Sequence, residues 1–275
     1  MKKYYKYLLT ILLPGFIGLT QFESSFAQIQ EPEVEQVVRE APTLREGYSS
    51  GLGLNILMNN FGFGVGGEFR KVISSQTEAF LTLRITGLRD VSEQTFTDVF
   101  FGQQVIPNKY QRAFAFPALI GFRQRFFADR IQEDYRFFAS VAAGPVLTFS
   151  FPYFEDANNN GYREQGYETP QGYFEPVNDI FTGWNNGNWK WGGTGEFKIG
   201  VDIGRNFSNL SSVEFGYYMY YFPDGMQLMM PNQPMVNEEG EFMLRPDGHL
   251  EVEPFFDSQQ FFGTPQITFS FGKLW

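Results

Sequence analysis

The segment Phe197-Lys198-Ile199-Gly200-Val201-Asp202-Ile203-Gly204 alternates without a break between bulky apolar residues and small or charged ones. Every odd position carries Phe, Ile or Val, and every even position carries Lys, Gly or Asp. In an extended strand a period of two places successive side chains on opposite faces. The segment is therefore predicted to form a β-strand with one face in an apolar medium.

Seven further segments show the same alternation of apolar with small or polar residues. Their apolar sets run through 52–58, 61–69, 79–85, 116–122, 141–149, 213–219 and 267–275. Asn59-Asn60 joins the first two segments as a predicted tight turn. Eight strands are an even number, which is compatible with the smallest single-chain outer-membrane barrels.

The connections between the predicted strands fall into two length classes. Those after strands two, four and six are short, at 73–77, 127–135 and 206–211, whereas those after strands three, five and seven are long, at 88–111, 151–188 and 223–258. Both termini of such a barrel lie in the periplasm. The predicted fold class is an all-β, eight-stranded antiparallel up-and-down transmembrane β-barrel with short periplasmic turns and long extracellular loops.

A soluble β-sandwich or a lipocalin-like barrel would show the same alternation, but its charged face would point to water. Here the non-apolar face is rich in glycine and nearly balanced in charge. Small residues and paired ions suit a narrow closed lumen, which favours the membrane barrel. The lumenal set has five positive and four negative members: Arg70, Arg84, Arg123, Arg125 and Lys198 against Glu68, Glu196, Asp202 and Glu214.

The first residues have the organisation of an export signal. Lysines at positions 2, 3 and 6 precede an apolar stretch, and Ser25-Phe26-Ala27 forms a small-x-small cleavage site. Pro14 and the polar run 21–25 leave the stretch too short for a transmembrane anchor. We expect a signal peptide at 1–27, cleaved after Ala27, a periplasmic lead-in at 28–46, a barrel at 47–275 and a location in the bacterial outer membrane.

Charge and cysteine content exclude some classes of protein. The formal net charge is −10, and removing the signal with its three lysines and Glu23 changes it to −12. An acidic protein is a poor binder of polyanions, so no nucleic-acid partner is expected. The chain has no cysteine and hence no disulfides.

The segment Gln266–Trp275 ends in an aromatic residue after alternating apolar positions. It resembles the terminal assembly signal of outer-membrane β-barrels, and the mature chain resembles the small eight-stranded outer-membrane β-barrel proteins. The resemblance implies recognition of the last strand by the barrel-assembly machinery and contact with outer-membrane lipid; a protein partner stays unknown. Lys273 departs from the family pattern, although its stem can snorkel at the membrane rim.

The second long loop contains Asp156-Ala157-Asn158-Asn159-Asn160-Gly161-Tyr162, which resembles the D-x-N-x-N-G loops of calcium-binding proteins. Oxygen ligands at loop positions 1, 3 and 5, a turn glycine and a later carboxylate suit Ca²⁺. The candidate ligands are Asp156, Asn158, Asn160, the Tyr162 carbonyl and Glu164 or Glu168. A solvated Asn/Gly-rich turn is the alternative.

Other loop features leave three functions open. The third long loop is acidic and contains Met226, Leu228, Met229, Met230 and Met235, which are expected to pack over the barrel mouth or to meet a partner. We expect a non-enzymatic barrel with a plugged lumen and a structural or surface-interaction role. The alternatives are a small solute or ion pore, and a lipid A-modifying enzyme using the single histidine, His249. Trp184, Trp189 and Trp191 are predicted to lie in an interfacial girdle.

Overall fold

The computed structural model describes residues 47–97, 104–127, 135–164, 167–169, 172–174, 177–204 and 208–275. Within them, eight antiparallel strands form a closed barrel. The strands are β1 (Ser50–Asn59), β2 (Gly62–Val72), β3 (Thr77–Leu88), β4 (Gln111–Phe126), β5 (Tyr135–Pro152), β6 (Asn188–Ile203), β7 (Asn209–Met226) and β8 (Gln259–Leu274).

Each strand pairs with the next in the chain, and β8 closes the barrel by pairing with β1 in the register Ile56 to Phe269. The long connections carry three short ribbons, which pair Phe96–Thr97 with Gln104–Val105, Tyr167–Thr169 with Gly172–Phe174, and Asn232–Pro234 with Val252–Pro254. The up-and-down topology and the separation of short turns from long loops confirm the predicted fold class. We call the end with the short turns periplasmic and the other end extracellular.

The side-chain polarity of the barrel is inverted relative to a soluble protein. On the outer face Leu54 is 69% exposed, Phe63 72% and Ile120 64%, while Arg123 and Glu214 on the inner face are 0% and 0% exposed. Water around such a surface would leave a continuous apolar belt unburied, whereas hydrocarbon would match it. The apolar set therefore faces lipid, as the alternation predicted, and a lipocalin-like arrangement is excluded.

Inward-facing glycines make room for large side chains on the neighbouring strand. Gly121 lies opposite Phe80, and Gly200 lies opposite Phe138. A Cβ at either glycine would come within 2.6 Å of the facing phenylalanine ring. Gly216 stands in the same relation to Lys198, whose Cγ would lie 2.6 Å from the added atom. The glycines of the lumenal face thus determine where its bulky residues fit.

The prediction that Phe61 belongs to the lipid-facing set is wrong. Strand β2 begins at Gly62, and Phe61 lies in the turn, where its N–H donates to Asn59 Oδ1 at 2.9 Å. Gly62 has a φ of +118°, a conformation that only glycine adopts readily. The turn directs the Phe61 ring into the barrel mouth, 6.1 Å from the Tyr220 ring centroid.

The predicted signal peptide 1–27 and lead-in 28–46 lie outside the described residues. Across the described ranges, no helix has both the length and the apolar character needed to cross a bilayer.

Lipid contact predicts a depth-dependent cost for charge on the outer face. Phe197 lies between the Trp191 level and the periplasmic end of β6, whereas Ile203 is the last residue of β6. We expect Phe197→Arg to lower the free energy of unfolding by about 2–4 kcal/mol and Ile203→Arg by at most about 1 kcal/mol. Urea titration of protein refolded in lipid vesicles measures both. Equal costs at the two depths would contradict the assignment of a lipid-facing surface.

Candidate functional site: the filled lumen and the extracellular cap

The periplasmic half of the lumen contains a continuous network of buried ion pairs. At its centre, Glu214 accepts from Arg123 Nη2 at 2.6 Å and lies 2.6 Å from Lys198 Nζ. Hydroxyls of Ser212 and Ser270 donate to the same carboxylate at 3.3 and 3.0 Å. Four donors from strands β4, β6, β7 and β8 therefore converge on one carboxylate in the middle of the barrel.

Two branches extend from this centre. Lys198 reaches Glu196 at 3.0 Å, and Glu196 accepts two bonds from Arg84 at 2.5 and 2.9 Å. Such a bidentate arrangement fixes the relative orientation of guanidinium and carboxylate. This branch connects β3 with β6 across the lumen.

The second branch runs toward the periplasmic end. Arg123 lies 3.6 Å from Asp202, which in turn pairs with Arg125 at 2.8 Å. Arg125 also lies 3.2 Å from Glu78.

Arg70 pairs with Glu68, which additionally accepts from Asn55 and Thr82. Every member of the lumenal charge set predicted from the sequence belongs to this network.

Glu78 is a lumenal charge that was not predicted from the sequence. The predicted third strand began at Ala79, but β3 begins at Thr77, so Glu78 points inward and is fully buried. With Glu78 the ten charges divide evenly, five positive against five negative. Glu78 continues the inward-facing series of Phe80 and Thr82, and this period of two could have identified it as lumenal. A balanced set allows each buried ion a partner of opposite sign.

The extracellular half of the lumen is filled by apolar and aromatic side chains. Tyr218 and Tyr220 pack edge to face with ring centroids 4.8 Å apart, and Phe222 packs against Phe262 at 5.9 Å. Met226, the last residue of β7, and Leu228, at the start of the last long loop, belong to the same buried cluster. These residues cover the ion network from the extracellular side.

Segments of three long loops continue this packing above the barrel; we call residues 104–110, 153–164, 177–183 and 227–232 the cap. Tyr153, Phe154 and Met230 form a buried apolar cluster, against which Ile106 and Tyr162 pack. Main-chain bonds connect the segments, with the Tyr110 N–H donating to the Leu228 carbonyl at 2.8 Å and the Tyr153 N–H to the Tyr110 carbonyl at 2.9 Å. The cap is folded structure with its own small core.

Met229 and Met230 are also buried, whereas Met235 is half-buried. The first of the two predicted roles, packing over the barrel mouth, therefore applies to Met226, Leu228, Met229 and Met230.

Two cations hold the cap in place: Arg112 of β4 binds it to the barrel rim, and Lys109 binds it to another part of the first long loop. Arg112 donates to the carbonyls of Asn178 and Asp179 at 2.7 and 2.5 Å. Lys109 is buried and donates to Glu93 at 2.5 Å. Burial lowers the pKa of the Lys109 ammonium, and the Glu93 carboxylate opposes that shift.

The candidate calcium residues form a turn on the outside of the cap. Asp156 accepts from the N–H groups of Asn160 at 3.0 Å and Gly161 at 2.8 Å. Asn160 Oδ1 accepts from the Tyr162 N–H at 2.9 Å, and Asn158 donates its amide to Glu164 at 2.8 Å. Gly161 has a φ of +72°, as the turn requires. The structure thus brings Asp156, Asn158, Asn160, Tyr162 and Glu164 into one turn, while the side chain of Glu168 lies outside the described residues.

The turn is held against the last long loop. Asn232 donates to the Asn160 carbonyl at 2.6 Å, and a Cβ on Gly161 would lie 2.6 Å from Pro231 Cγ. In the part of the chain that the structure describes, no three acidic or histidine side chains cluster as a metal site. A cation at this turn would therefore depend on the Asn158 and Asn160 amides and a main-chain carbonyl in addition to carboxylates.

His249 lines a cavity of about 650 Å³ together with Asp156, Asn158 and Glu164. It is exposed, and its main-chain N–H donates to Asp247 Oδ1 at 3.1 Å. The acidic residues of the surrounding hairpin, 237–248, are exposed as well.

Trp184, Trp189 and Trp191 lie at the extracellular rim. The ring centroid of Phe149 is 5.8 Å from Trp184 and 4.8 Å from Trp189. The three tryptophans thus lie at the extracellular rim, where an interfacial girdle was predicted.

A closed eight-stranded barrel with an apolar outer belt and charges inside has the fold of the small outer-membrane β-barrel proteins, which supports a location in the bacterial outer membrane. No protein-family model and no curated protein matches the chain.

Three similar solved structures share little sequence with this chain. The N-terminal β-barrel domain of Pseudomonas aeruginosa OprF aligns with a TM-score of 0.34 and 7% identity, over 83% of this chain and 99% of that one. Ail, the attachment invasion locus protein of Yersinia pestis, aligns at 0.33 and 6%, over 82% and 95%. A mutant of the TodX monoaromatic hydrocarbon channel aligns at 0.22 and 11%, over 86% and 93%. The fold is therefore assigned from the chain's own strand pairing and polarity.

The ion network predicts a large effect of removing its central carboxylate. Glu214→Ala leaves Arg123 and Lys198 buried with one partner fewer, and we expect a loss of about 3–5 kcal/mol in unfolding free energy. Glu239→Ala, in the exposed hairpin, is the matched control and should change stability by less than about 0.5 kcal/mol. Urea unfolding in lipid vesicles measures both. Equal stability of the two variants would show that the network does not hold the barrel together.

Proposed function

We propose that the protein is a closed, non-enzymatic outer-membrane barrel that anchors a folded extracellular platform for surface interaction. The observation that carries the proposal is that the long loops share a buried core and main-chain hydrogen bonds with one another. Ordering such segments costs conformational entropy, which packing offsets only when the segments hold one shape. A rigid platform is the arrangement that presents a fixed surface to a partner.

The closed lumen supports this proposal against the pore. Ions fill the periplasmic half, rings and methionine fill the extracellular half, and Arg123, Thr148, Glu214 and Tyr220 are each fully buried. An eight-stranded barrel has an interior just wide enough for its own side chains. Solute passage would require breaking several ion pairs at once, each costing more than thermal energy supplies.

Closure predicts that purified protein gives no unitary conductance in planar lipid bilayers, because the lumenal side chains exclude a continuous column of water. Insertion is verified by heat-modifiable gel mobility of the same preparation. Protein unfolded by heat before addition is the control for membrane leak. Reproducible current steps from the folded protein, absent from the unfolded control, would replace the platform proposal with the pore.

The proposal includes a Ca²⁺ ion that orders the platform at the 156–164 turn. The supporting observations are the turn glycine, the Asp156 and Asn158 side-chain oxygens that both accept from the Asn160 N–H, and the attachment of the turn to Asn232. The burial of Tyr110 and the charge of Asp156 raise the pKa of the Tyr110 phenol, so the acid lies near the apolar core of the cap. A cation there would connect the turn to that core.

Titration calorimetry tests the ion. With two neutral amides among the ligands, we expect a dissociation constant of about 10⁻⁴–10⁻³ M, as in extracellular calcium modules. Asp156→Ala should abolish the binding heat. The matched control is Asp247→Ala, an exposed acid of a different loop that likewise accepts a main-chain N–H. The same heat from Asp156→Ala as from wild type would remove the ion from the proposal while leaving the platform intact.

A further inference from the structure

The periplasmic end of the outer face carries two lysines side by side. Lys71 on β2 and Lys273 on β8 are exposed. In contrast, the charges of the lumenal network on the same half of the barrel all point inward and are buried. Lys71 is paired with Ser50 and Lys273 with Leu52, so the two lysines flank strand β1. Two strand spacings across the sheet and an offset of two residues along β1 put their Cα atoms about 12 Å apart.

Directly toward the membrane centre from these lysines, the outer wall has a groove. Gly67 points outward from β2 between Leu54 of β1 and Leu83 of β3, and a Cβ on it would meet no atom within 4 Å. The missing side chain opens a groove of about 680 Å³, lined by Leu52, Leu54, Phe69, Leu81, Leu83 and Phe271. Lys273 stands at its periplasmic end. A further hollow of about 520 Å³, also lined by Gly67, continues it past Val65.

The groove and the lysines together are complementary to one phospholipid molecule, with apolar walls for a hydrocarbon chain and positive charges for a phosphate. Aliphatic and aromatic walls accept a hydrocarbon chain, while ammonium groups at the mouth accept phosphate oxygens. A lysine at the rim places its apolar stem along the wall and its charge at the headgroup level. Each lysine near an anionic headgroup strengthens lipid binding about fivefold, and the binding free energies of two adjacent lysines add.

We propose that the groove over Gly67 holds an acyl chain of a glycerophospholipid of the periplasmic leaflet, with its phosphate between Lys71 and Lys273. The site differs from the lipid contact that any membrane barrel makes, because the chain lies in a recess and the headgroup meets two cations. It lies at the opposite end of the barrel from the cap and does not depend on the platform. It does depend on the barrel lying in a bilayer.

The outer wall also provides a matched control. Gly193 on β6 points outward, and an added Cβ there would again meet no atom within 4 Å. Its strand neighbours on the same face are Trp191 and Gly195, and its partner on β5 is Pro145, so no cation accompanies it. Leucine at Gly67 fills the proposed recess, whereas leucine at Gly193 adds the same volume to the outer wall away from the lysines.

Native mass spectrometry of the full-length protein in non-ionic detergent, titrated with phosphatidylglycerol, tests the site. We expect one lipid to bind wild type and Gly193→Leu with equal affinity, and Gly67→Leu to bind at least about tenfold more weakly. Replacing both lysines, as Lys71→Gln with Lys273→Gln, should weaken binding by roughly 25-fold, about fivefold for each charge. Heat-modifiable mobility of each variant establishes that the barrel is folded before lipid is added.

Three outcomes would overturn the proposal. Unchanged binding in Gly67→Leu would mean that no chain occupies the groove. Unchanged binding in the double lysine variant would mean that the headgroup is not held there. Dimers in wild type that Gly67→Leu dissociates would identify the occupant as a second copy of the chain. A failure of the mobility shift in wild type would instead refute the membrane barrel itself.

Discussion

Inside the closed sheet, ten buried charges pair with one another, and this pairing stabilises the barrel. The outer face has to be apolar because it meets hydrocarbon, so the polar side chains of the strands can only point inward. A lone ion in that interior would cost several kcal/mol, and removing one partner of a buried pair is correspondingly expensive. The Arg123–Glu214 pair joins residues of β4 and β7 that are 91 positions apart in sequence, and Lys198 of β6 pairs with the same carboxylate. The network thus holds the barrel in one register and fills it at the same time.

Under the proposed function, the side chains that fill the lumen leave the two ends and the outer wall of the barrel as the surfaces available for binding. At the extracellular end, Met226 and Leu228 continue the lumenal packing upward into the cap, so the cap shares a buried cluster with the barrel. Hydrogen bonds from Tyr110 to Leu228 and from Tyr153 to Tyr110 extend the sheet-like pairing beyond the membrane. A partner that binds this surface would meet a preformed shape and would have little loop entropy to overcome.

The outer wall is not uniform. Most of its residues are large and apolar, as lipid contact requires, but Gly67 interrupts the belt and Lys71 and Lys273 interrupt its lower edge. In the sequence Lys273 is a departure from the assembly-signal pattern, and Lys71 is the residue that follows a lumenal arginine. Their position on either side of β1 follows from the closure of β8 on β1, which brings residues about 200 positions apart in sequence together.

The number of strands, the face that each presents and the division between turns and long loops can be predicted from the sequence, because the period of two is a local property that survives in any closed sheet. The sequence also predicts nine of the ten charges in the buried ion network; Glu78 was missed because it lies at a strand end, where the alternation has few neighbours to repeat. The inward turn of Phe61, the partners of each ion and the common core of Tyr153, Phe154 and Met230 were decided only by the tertiary structure. These features depend on barrel closure and loop packing, which bring together residues far apart in sequence. A local sequence pattern does not specify such contacts.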